Sequence, residues 1–573
     1  MANMSCSEGE SDSSDAGDSD SFLEDNPFTI NPVLQEDIQK LKERFPQSAV
    51  SWRTLPIINE MDLDMSLPTT FLESTVTTAW GLIPGLPVVI RINLNHEHYL
   101  FKNAVIRVDV FQVPTLKRNG ILMQIKNIAE SFCRTNVQRI VNERQSPLTC
   151  DETIKLSKEE VTHLKDMGYT ETAISQALNL SDGTVNSTID ILMQSSENML
   201  ASPNLQLSAH DGFLAELYAY MQKRLLTLND YCPICDHHHD IKLSVMLKPM
   251  ICGSTLCIFS FQTLGVMADA STDIVTEPQV VYLLLQLTRA AVESARHDLI
   301  LAPYPTIVDD KLHEIVLYEQ KKDITLLKEI ISSIPHIKTL LDIDPENLKQ
   351  FMENVHPFSY SLLRWIISSN RSHIVKLAKE QYLDFMHTNH QFLLRNSPPL
   401  EDQRFREEKS KSGSVFAFHG SPIENWHSII RQGLLVASGT SKQLNGAAYG
   451  KGIYISPHLN TSLGYCNRLL SISMPPTKKA KKAAVDPNDP QDEFIDHLLE
   501  KMTCIALCEV INNNHLKRHC DTIWTCEKSE FICTRFFFVY DRNFPANLVE
   551  QEIHMKPGSK YVKQIEQALE ATK

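Results

Sequence analysis

The sequences Phe-His-Gly-Ser at residues 418–421 and Tyr-Gly-Lys-Gly-Ile-Tyr at residues 449–454 are the most informative part of this chain. Ser462 comes eight residues after Tyr454, and Tyr465 comes three residues later. Together these segments supply a glycine backbone, a hydroxyl group and two aromatic rings. A site that holds a flat, cationic amide ring needs such groups, and the nicotinamide of NAD is a ring of this kind.

A buried strand and a helix are predicted at the first motif. Residues 415–419 (Val-Phe-Ala-Phe-His) have the pattern of a buried strand that ends at the His-Gly pair. Ser421 is expected to cap the next helix, Pro422 to occupy its first turn and Gly433 to end it. The helix has an apolar stripe of Ile423, Trp426, Ile429 and Ile430. Gly420 lacks a Cβ, so its backbone can approach a ligand closely.

A second strand and helix are predicted at the second motif. The strand at residues 452–456 carries Tyr454, and Asn460 is expected to cap the helix that follows. In that helix Ser462 and Tyr465 lie three residues apart and therefore share a face. A turn and core tyrosines would explain any one of these residues, but they would not explain the ordered set.

This region resembles the catalytic domain of the poly(ADP-ribose) polymerase (PARP) family, the diphtheria-toxin-like ADP-ribosyltransferases. In that family the His of the His-Gly pair binds the adenine-side ribose of NAD. The Gly backbone and a Ser hold the nicotinamide carboxamide, and two tyrosines sandwich the ring. The resemblance therefore implies that NAD is bound by His419, Gly420, Ser421, Tyr454, Ser462 and Tyr465.

Four stretches are similar to the subgroup that contains PARPs six and eight: residues 361–376, 385–394, 416–428 and 533–540. This stronger likeness runs over roughly residues 357–541. The resemblance implies a multidomain α+β protein. Its C-terminal ADP-ribosyltransferase domain would contain a split β-sheet, preceded by helical and small α+β modules.

The third catalytic position departs from the polymerase pattern. In the polymerases a late strand begins Glu-Tyr-Ile-Val-Tyr-Asp, whereas residues 536–541 here are Phe-Phe-Phe-Val-Tyr-Asp. Phe536 thus occupies the place of the Glu, whose carboxylate binds the nicotinamide ribose and activates the next acceptor hydroxyl. Tyr540 is the nearest polar group in the strand, and its offset of four residues is expected to point it elsewhere.

The resemblance therefore implies a mono-ADP-ribosyltransferase whose catalytic positions are His419, Tyr454 and Phe536. It would transfer one ADP-ribose from NAD to a protein side chain, Asp/Glu or Cys, and release nicotinamide. Its substrates would include other proteins and the chain itself. The alternative is an inactive NAD-binding or ubiquitin-binding scaffold.

Composition predicts the surroundings in which the protein works. The length of 573 residues suggests about three or four domains, and the thirteen cysteines are typical of a reducing compartment. We therefore expect a cytoplasmic or nuclear protein without a membrane segment. The net charge of −15 argues against nucleic-acid binding. The run Lys-Lys-Ala-Lys-Lys at 478–482 resembles a nuclear localisation signal, but an insertion loop at 474–492 is the preferred interpretation.

The predicted modules are an acidic disordered tail at 1–27, a small α+β module at 28–150 and a ubiquitin-associated-like helical module at 151–200. A cysteine-containing module at 201–305, a helical region at 306–400 and the catalytic domain at 401–573 follow. The α+β module has strands predicted at 88–94 and 104–111 and a helix near 122–132. Ubiquitin binding is suggested by Met167, Gly168 and Tyr169.

A structural zinc site is predicted from two cysteine pairs, Cys232-x-x-Cys235 and Cys252-x4-Cys257. A Cys-x-x-Cys turn directs two thiolates to one point, and a second close pair completes a tetrahedral set. The histidines at 237–239 are alternative ligands, and four buried free thiols are the alternative interpretation. A redox pair is not favoured, because no thioredoxin-like βαβ pattern surrounds it.

Overall fold

The computed structural model describes residues 30–55, 59–100, 106–113, 120–145, 212–239, 246–263, 270–309, 311–439, 448–466, 502–540, 548 and 551–571. The acidic tail at 1–27, the ubiquitin-associated-like module at 151–200 and the basic loop at 474–492 lie outside these ranges. What the sequence predicts for these three segments stays a prediction.

The N-terminal module is an antiparallel sheet covered by helices. Its strands are β1 (Ser51–Leu55), β2 (Glu60–Leu67), β3 (Val88–Asn95) and β4 (Ile106–Phe111), and they lie in that order. The helices are α1 (Pro32–Arg44), α2 (Ser74–Ala79) and α3 (Gly120–Gln145). Every second side chain of β3 is buried, which is the period expected when one face of a sheet covers a core.

The N-terminal core extends beyond the predicted module boundary at residue 150. Helix α4 (Phe213–Leu226) buries one apolar face in the same core as α1, α3 and the sheet. Leu247 belongs to this core as well. The core therefore includes the first part of the segment that the sequence analysis assigned to a separate cysteine-containing module.

A largely helical region connects this module to the C-terminal sheet. It contains α5 (Thr255–Thr263), α6 (Ala270–Thr276), α7 (Pro278–Glu293), α8 (His297–Ile300), a hairpin of β5 (Ile307–Asp309) and β6 (Glu314–Leu317), α9 (Ile324–Ser333), α10 (Ile337–Leu341), α11 (Leu348–Val355) and α12 (Ser359–Ser368). Among the described residues, no helix combines the length and the apolar character needed to cross a bilayer.

The C-terminal domain contains a split sheet, which confirms the predicted fold class. Its elements are β7 (His373–Lys376), β8 (His390–Arg395), α13 (Pro399–Ser412), β9 (Ser414–Gly420), α14 (Trp426–Gln432), β10 (Ile453–Ile455), α15 (Leu459–Cys466), β11 (Thr503–Ile511), β12 (Leu516–Arg518), β13 (Trp524–Cys526), β14 (Ile532–Tyr540) and α16 (Lys560–Glu570). The larger sheet has the order β7-β8-β14-β11-β9 and the smaller one β10-β13-β12. Strands β7 and β8 precede residue 401, so this sheet begins before the predicted boundary.

A β-bulge at Arg535 determines on which face of the sheet each side chain of β14 lies. Leu507 of β11 pairs with Phe536, but the next residue, Cys508, pairs with Thr534. The extra residue places Thr534 and Phe536 on opposite faces of the sheet, whereas in a regular strand they would share one. Phe536 therefore packs into the core on the same face as Leu507 and Phe418.

A buried carboxylate holds the bulge in place. Glu509 of β11 is 2% exposed and accepts hydrogen bonds from Ser414 Oγ at 2.7 Å and from Arg535 Nε at 2.9 Å, while Lys409 Nζ lies 2.7 Å away. Burial raises the pKa of Glu509, but Arg535 and the hydrogen bonds from Lys409 and Ser414 outweigh this effect. The net pKa therefore lies below its ordinary value. Glu509 is thus a buried counter-charge of Arg535, whose side chain is partly buried.

We predict that Glu509→Gln lowers the free energy of unfolding by roughly 3–5 kcal/mol, because it removes the buried carboxylate that pairs with the partly buried Arg535. Thermal unfolding of the full chain at neutral pH measures this as a lower midpoint. Because the folded-state pKa is depressed, the stabilisation is present at neutral pH and is lost as the pH falls below 4.5. The difference in unfolding midpoint between the wild type and the Glu509 variant should therefore become smaller in acid.

The matched control is Glu530→Gln, because Glu530 is an exposed carboxylate whose ion pair among the described residues is with Lys528, at 3.4 Å. Exposed pairs contribute about 0–1 kcal/mol, so this variant should unfold like the wild type. Equal midpoints for the Glu509 and Glu530 variants would contradict the role given to Glu509.

Candidate active site

A cavity of about 280 Å³ lies between the end of β9, strand β10 and helix α15. All six residues that the sequence analysis assigned to NAD binding line it: His419, Gly420, Ser421, Tyr454, Ser462 and Tyr465. Most of its lining is apolar, with a few convergent polar groups, as is usual for small-molecule sites. The structure therefore brings together residues that are as much as 46 positions apart in the sequence.

Gly420 is required by the packing of helix α15 against strand β9. A Cβ atom at this position would lie 1.8 Å from the carbonyl oxygen of Ser462 and 2.7 Å from its carbonyl carbon. Neither backbone atom can move without shifting the helix. The sequence analysis explained this glycine by close approach to a ligand, and the structure adds that only glycine allows the helix to lie here.

His419 presents one ring nitrogen as a hydrogen-bond acceptor. Its Nδ1 lies 2.9 Å from the carbonyl oxygen of Tyr454, and a carbonyl can only accept, so Nδ1 carries the proton. Burial lowers the pKa of His419, which keeps the ring neutral at physiological pH. Nε2 is therefore left with a lone pair. Trp426 meets the ring edge-on, with centroids 6.0 Å apart, and fixes its orientation.

Tyr454 ties the second motif together. Its hydroxyl accepts a hydrogen bond from the amide of Tyr449 and donates one to the carbonyl of Gly450, each at 3.0 Å. The ring therefore sits between the cavity, which it lines, and the turn that precedes β10. Tyr465 lies on α15, lines the cavity and is 37% exposed, so part of its side chain is accessible to a ligand.

The two serines are already hydrogen-bonded. Ser462 Oγ donates to the carbonyl oxygen of Phe418 at 3.0 Å and keeps its acceptor lone pairs. Ser421 Oγ accepts from Asn425 Nδ2 at 2.9 Å. The prediction that Ser421 caps the next helix is wrong, because a 3₁₀ turn (Ile423–Asn425) precedes α14 and no side chain caps it. Gly433 ends the helix with φ 77°, as predicted.

Phe536, which the resemblance implies as a catalytic position, does not line the cavity. It is fully buried, and its ring stacks on Phe538 with centroids 6.3 Å apart. The bulge at Arg535 turns it towards the core. Tyr540 points elsewhere, as predicted, and donates to the Met386 carbonyl at 2.8 Å. Among the described residues, the cavity lining contains no carboxylate.

The sequence analysis missed several residues of the cavity wall. Leu299 and Ile300 reach it from the helical region, and Thr522 and Ile523 reach it from the turn between β12 and β13. Tyr449, Gly452 and Ile453 also line the cavity, and these three carried a sequence signal because they belong to the second motif. The first four are ordinary side chains whose position depends on long-range packing.

The four predicted zinc ligands form one cluster. The Sγ atoms of Cys232, Cys235, Cys252 and Cys257 all lie within 4.8 Å of one another. Cys235 Sγ and Cys252 Sγ are 3.7 Å apart, and the amide of Cys252 donates to Cys232 Sγ at 3.3 Å. The hydrogen bond between the Cys252 and Cys232 side chains lowers the pKa of the Cys232 thiol, so this sulfur favours the thiolate form.

Two of the three histidines considered as alternative ligands make other contacts. His239 Nε2 lies 2.7 Å from the carbonyl oxygen of Met250, and the ring of His238 meets Tyr231 edge-on. The Cys-x-x-Cys turn itself is docked on helix α3, where Asn127 Nδ2 donates to the Pro233 carbonyl at 3.1 Å. Among the described residues, the cluster therefore consists of the four cysteines.

Two protein families match the chain. The PARP6/PARP8 N-terminal domain matches residues 33–146, and the Poly(ADP-ribose) polymerase catalytic domain matches residues 379–472. The human Protein mono-ADP-ribosyltransferase PARP8 is 29% identical over 93% of this chain and 82% of its own length, as is its mouse counterpart. The mouse Protein mono-ADP-ribosyltransferase PARP16 is 26% identical over 41% of this chain and 63% of its own length.

We predict that Gly420→Ala displaces α15 and weakens NAD binding by about tenfold or more, since overpacking of this kind costs about 1–3 kcal/mol. Isothermal titration of the full chain with NAD measures the loss.

The matched control for this variant is Gly464→Ala in the same helix, where an added Cβ would meet nothing within 4 Å. That change favours the helix by up to about 1 kcal/mol and should leave NAD affinity as it is. Unaltered NAD affinity in the Gly420 variant would disprove the packing requirement.

Proposed function

We propose that this chain transfers single ADP-ribose units from NAD to protein side chains. It carries a PARP catalytic domain and the PARP6/PARP8 N-terminal domain, and it is therefore a PARP-family ADP-ribosyltransferase. The bond between nicotinamide and the anomeric carbon breaks, and its electron pair leaves with nicotinamide. An oxygen or sulfur of the acceptor forms the new bond at that carbon. The supporting observation is a cavity that gathers the predicted NAD-binding residues and, in the described part of the chain, has no carboxylate in its wall.

In this proposal the chain contributes positioning and electrostatics to the reaction. The free Nε2 of His419 accepts a hydrogen bond from a hydroxyl of the adenine-side ribose, which the neutral tautomer favours. The rings of Tyr454 and Tyr465 provide flat faces for nicotinamide, and Ser462 and the Gly420 backbone provide polar contacts for its carboxamide. Fixing the donor in this way lowers the entropic part of the barrier.

Transfer of a single unit follows from the chemistry of the acceptor. Chain growth requires attack by a ribose hydroxyl, which is a weak nucleophile without a nearby base. A protein carboxylate is ionised at neutral pH, and a Cys thiolate is partly available. The first transfer can therefore proceed in a cavity without a carboxylate, whereas elongation cannot. Asp/Glu and Cys acceptors are both compatible with this cavity.

We predict that the purified full chain, incubated with labelled NAD, modifies itself with single ADP-ribose units. Peptide mass spectrometry should show one increment for each modified side chain. His419→Ala and Tyr454→Ala should lose transfer, since each removes a contact worth about 1–3 kcal/mol from the donor site. His313→Ala, in an exposed turn outside the cavity, is the control and should modify itself like the wild type.

Long polymer ladders would contradict single transfer. NAD binding without nicotinamide release would instead favour the inactive scaffold. Ubiquitin binding by residues 151–200 and a cytoplasmic or nuclear location stay predictions from the sequence.

We also propose that the four-cysteine cluster binds one structural zinc ion. Thiolates around tetrahedral zinc lie about 2.3 Å from the metal and hence roughly 3.8 Å from one another. The separation of 3.7 Å between Cys235 Sγ and Cys252 Sγ fits this arrangement. With four sulfur ligands no coordination position stays open, so the role is structural.

The zinc ion would join two parts of the fold. Cys232 and Cys235 lie in the turn docked on α3 of the N-terminal module. Cys257 lies within α5, whose Phe261 packs against the core of the C-terminal domain and whose Gln262 binds the Thr306 carbonyl at 3.0 Å. A metal bound here therefore crosslinks the N-terminal module to the region that carries the transferase.

We predict one zinc per chain, measured by mass spectrometry of the metal after purification without chelators. Cys235→Ser with Cys252→Ser should remove the zinc and lower the thermal midpoint. Cys520→Ser changes an exposed cysteine outside the cluster, so this variant should have the zinc content and the thermal midpoint of the wild type. Full zinc content in the double variant would place the metal elsewhere in the chain, and no zinc in the wild type would refute the site.

A further inference from the structure

A second cleft, of about 620 Å³, opens beside the NAD-binding cavity. We call it the basic cleft. Its wall includes the charged and aromatic residues Tyr449, Lys451, Lys517, Arg518, His519 and Glu527. Lys451, Lys517, Arg518 and His519 are exposed. Neither the sequence analysis nor the proposed donor site assigns this cleft a role.

The cations of the basic cleft are poorly neutralised. Glu527 is its one described carboxylate; it lies 4.0 Å from Lys517 Nζ and is shared with His515 Nδ1 at 3.3 Å. Arg518 donates to the neutral side chain of Asn512 at 2.7 Å. Lys451 makes no ion pair with a described residue. The cleft therefore carries a net positive charge that is available to a ligand.

The positions of these side chains are supported by packing. The Arg518 guanidinium lies 4.9 Å from the ring centroid of Trp524, and His519 Nε2 lies 2.9 Å from Thr525 Oγ1. Thr525 pairs with Tyr454 across β10 and β13. The floor of the basic cleft is thus the strand next to the one that carries a donor-site tyrosine.

The basic cleft and the NAD-binding cavity share a wall. Tyr449 lines both, and its ring lies 5.1 Å from that of His519. The hydroxyl of Tyr454 holds the Tyr449 amide and the Gly450 carbonyl, so this partition is fixed to the donor site. A chain bound in the basic cleft would therefore lie one side chain away from the reacting end of the donor site.

We propose that the basic cleft binds an acidic polypeptide segment and presents the acceptor side chain to the donor site; this rests on the proposed function. Charge complementarity gives such a segment its affinity and its rate of encounter. The chain itself contains an acidic segment, since residues 1–25 hold eight Asp/Glu and no Lys/Arg. A polypeptide fits better than a nucleic acid, because the net charge of −15 repels a long polyanion.

The test measures binding and transfer separately. A fluorescein-labelled peptide with the sequence of residues 1–25 is titrated with the full chain, and its Kd is measured by fluorescence anisotropy. The same peptide then serves as the acceptor with labelled NAD. The double variant Lys517→Glu/Arg518→Glu is compared with Lys560→Glu/Lys563→Glu, which makes the same change of charge on exposed residues of α16.

The Lys517/Arg518 variant should raise the Kd and the KM for the peptide by about tenfold or more, with the dissociation constant for NAD as in the wild type. Added salt should weaken peptide binding to the wild type far more than to this variant. An equal loss in both double variants, or no loss in either, would overturn the proposal. So would selective modification of a 5′-phosphorylated RNA oligonucleotide instead of the peptide.

The two measurements separate this proposal from the proposed function. Peptide binding that depends on Lys517 and Arg518 without any transfer would support the basic cleft and refute single transfer. Transfer to the peptide that is independent of these residues would support the transferase and refute the basic cleft.

Discussion

The close contact between the end of β9 and helix α15 is the constraint on which the candidate active site depends. Gly420 leaves no room for a side chain beneath the Ser462 carbonyl, and Ser462 Oγ donates to the carbonyl of Phe418. Phe418 also exchanges two backbone hydrogen bonds with Ser456, at 2.7 and 2.9 Å. The imidazole of His419 is held by the Tyr454 carbonyl. Main-chain atoms therefore determine where nearly every functional side chain lies.

The part of the site that could be predicted from the sequence is the part built from local patterns. The strand ending at His419 and Gly420 shows in its alternation, and the shared face of Ser462 and Tyr465 follows from helical spacing. The placement of Phe536 could not be predicted in this way. It depends on a bulge held by Glu509, which lies in another strand, and a one-residue change of register turns a side chain to the opposite face. Apolar wall residues such as Leu299 were missed for a similar reason, because only long-range packing gives them a role.

The module boundaries were displaced because the N-terminal module and the transferase are tied together by the segment around residue 247. The Leu247 carbonyl accepts from Trp80 Nε1 at 2.7 Å, while its amide donates to the Asn396 carbonyl at 2.7 Å. Glu73 pairs with Arg395 and Arg406, each at 2.7 Å. The four-cysteine cluster lies along the same connection. A composition-based division assumes that few contacts cross a boundary, and here a backbone hydrogen bond and partly exposed ion pairs do cross it.

The described wall of the cavity has no carboxylate, and the register of β14 contributes to this as well as the residue type at position 536. A Glu introduced at position 536 would enter the core formed by Phe418 and Leu507, where the side chain of the present residue is fully buried. An ionised carboxylate without a partner is strongly disfavoured there, so it would take up a proton instead of polarising a ribose hydroxyl. To move position 536 to the other face of the strand, the bulge at Arg535 would have to be removed. That change would disturb the ion pair of Arg535 with Glu509, so a substitution at position 536 alone does not supply an ionised carboxylate to the cavity.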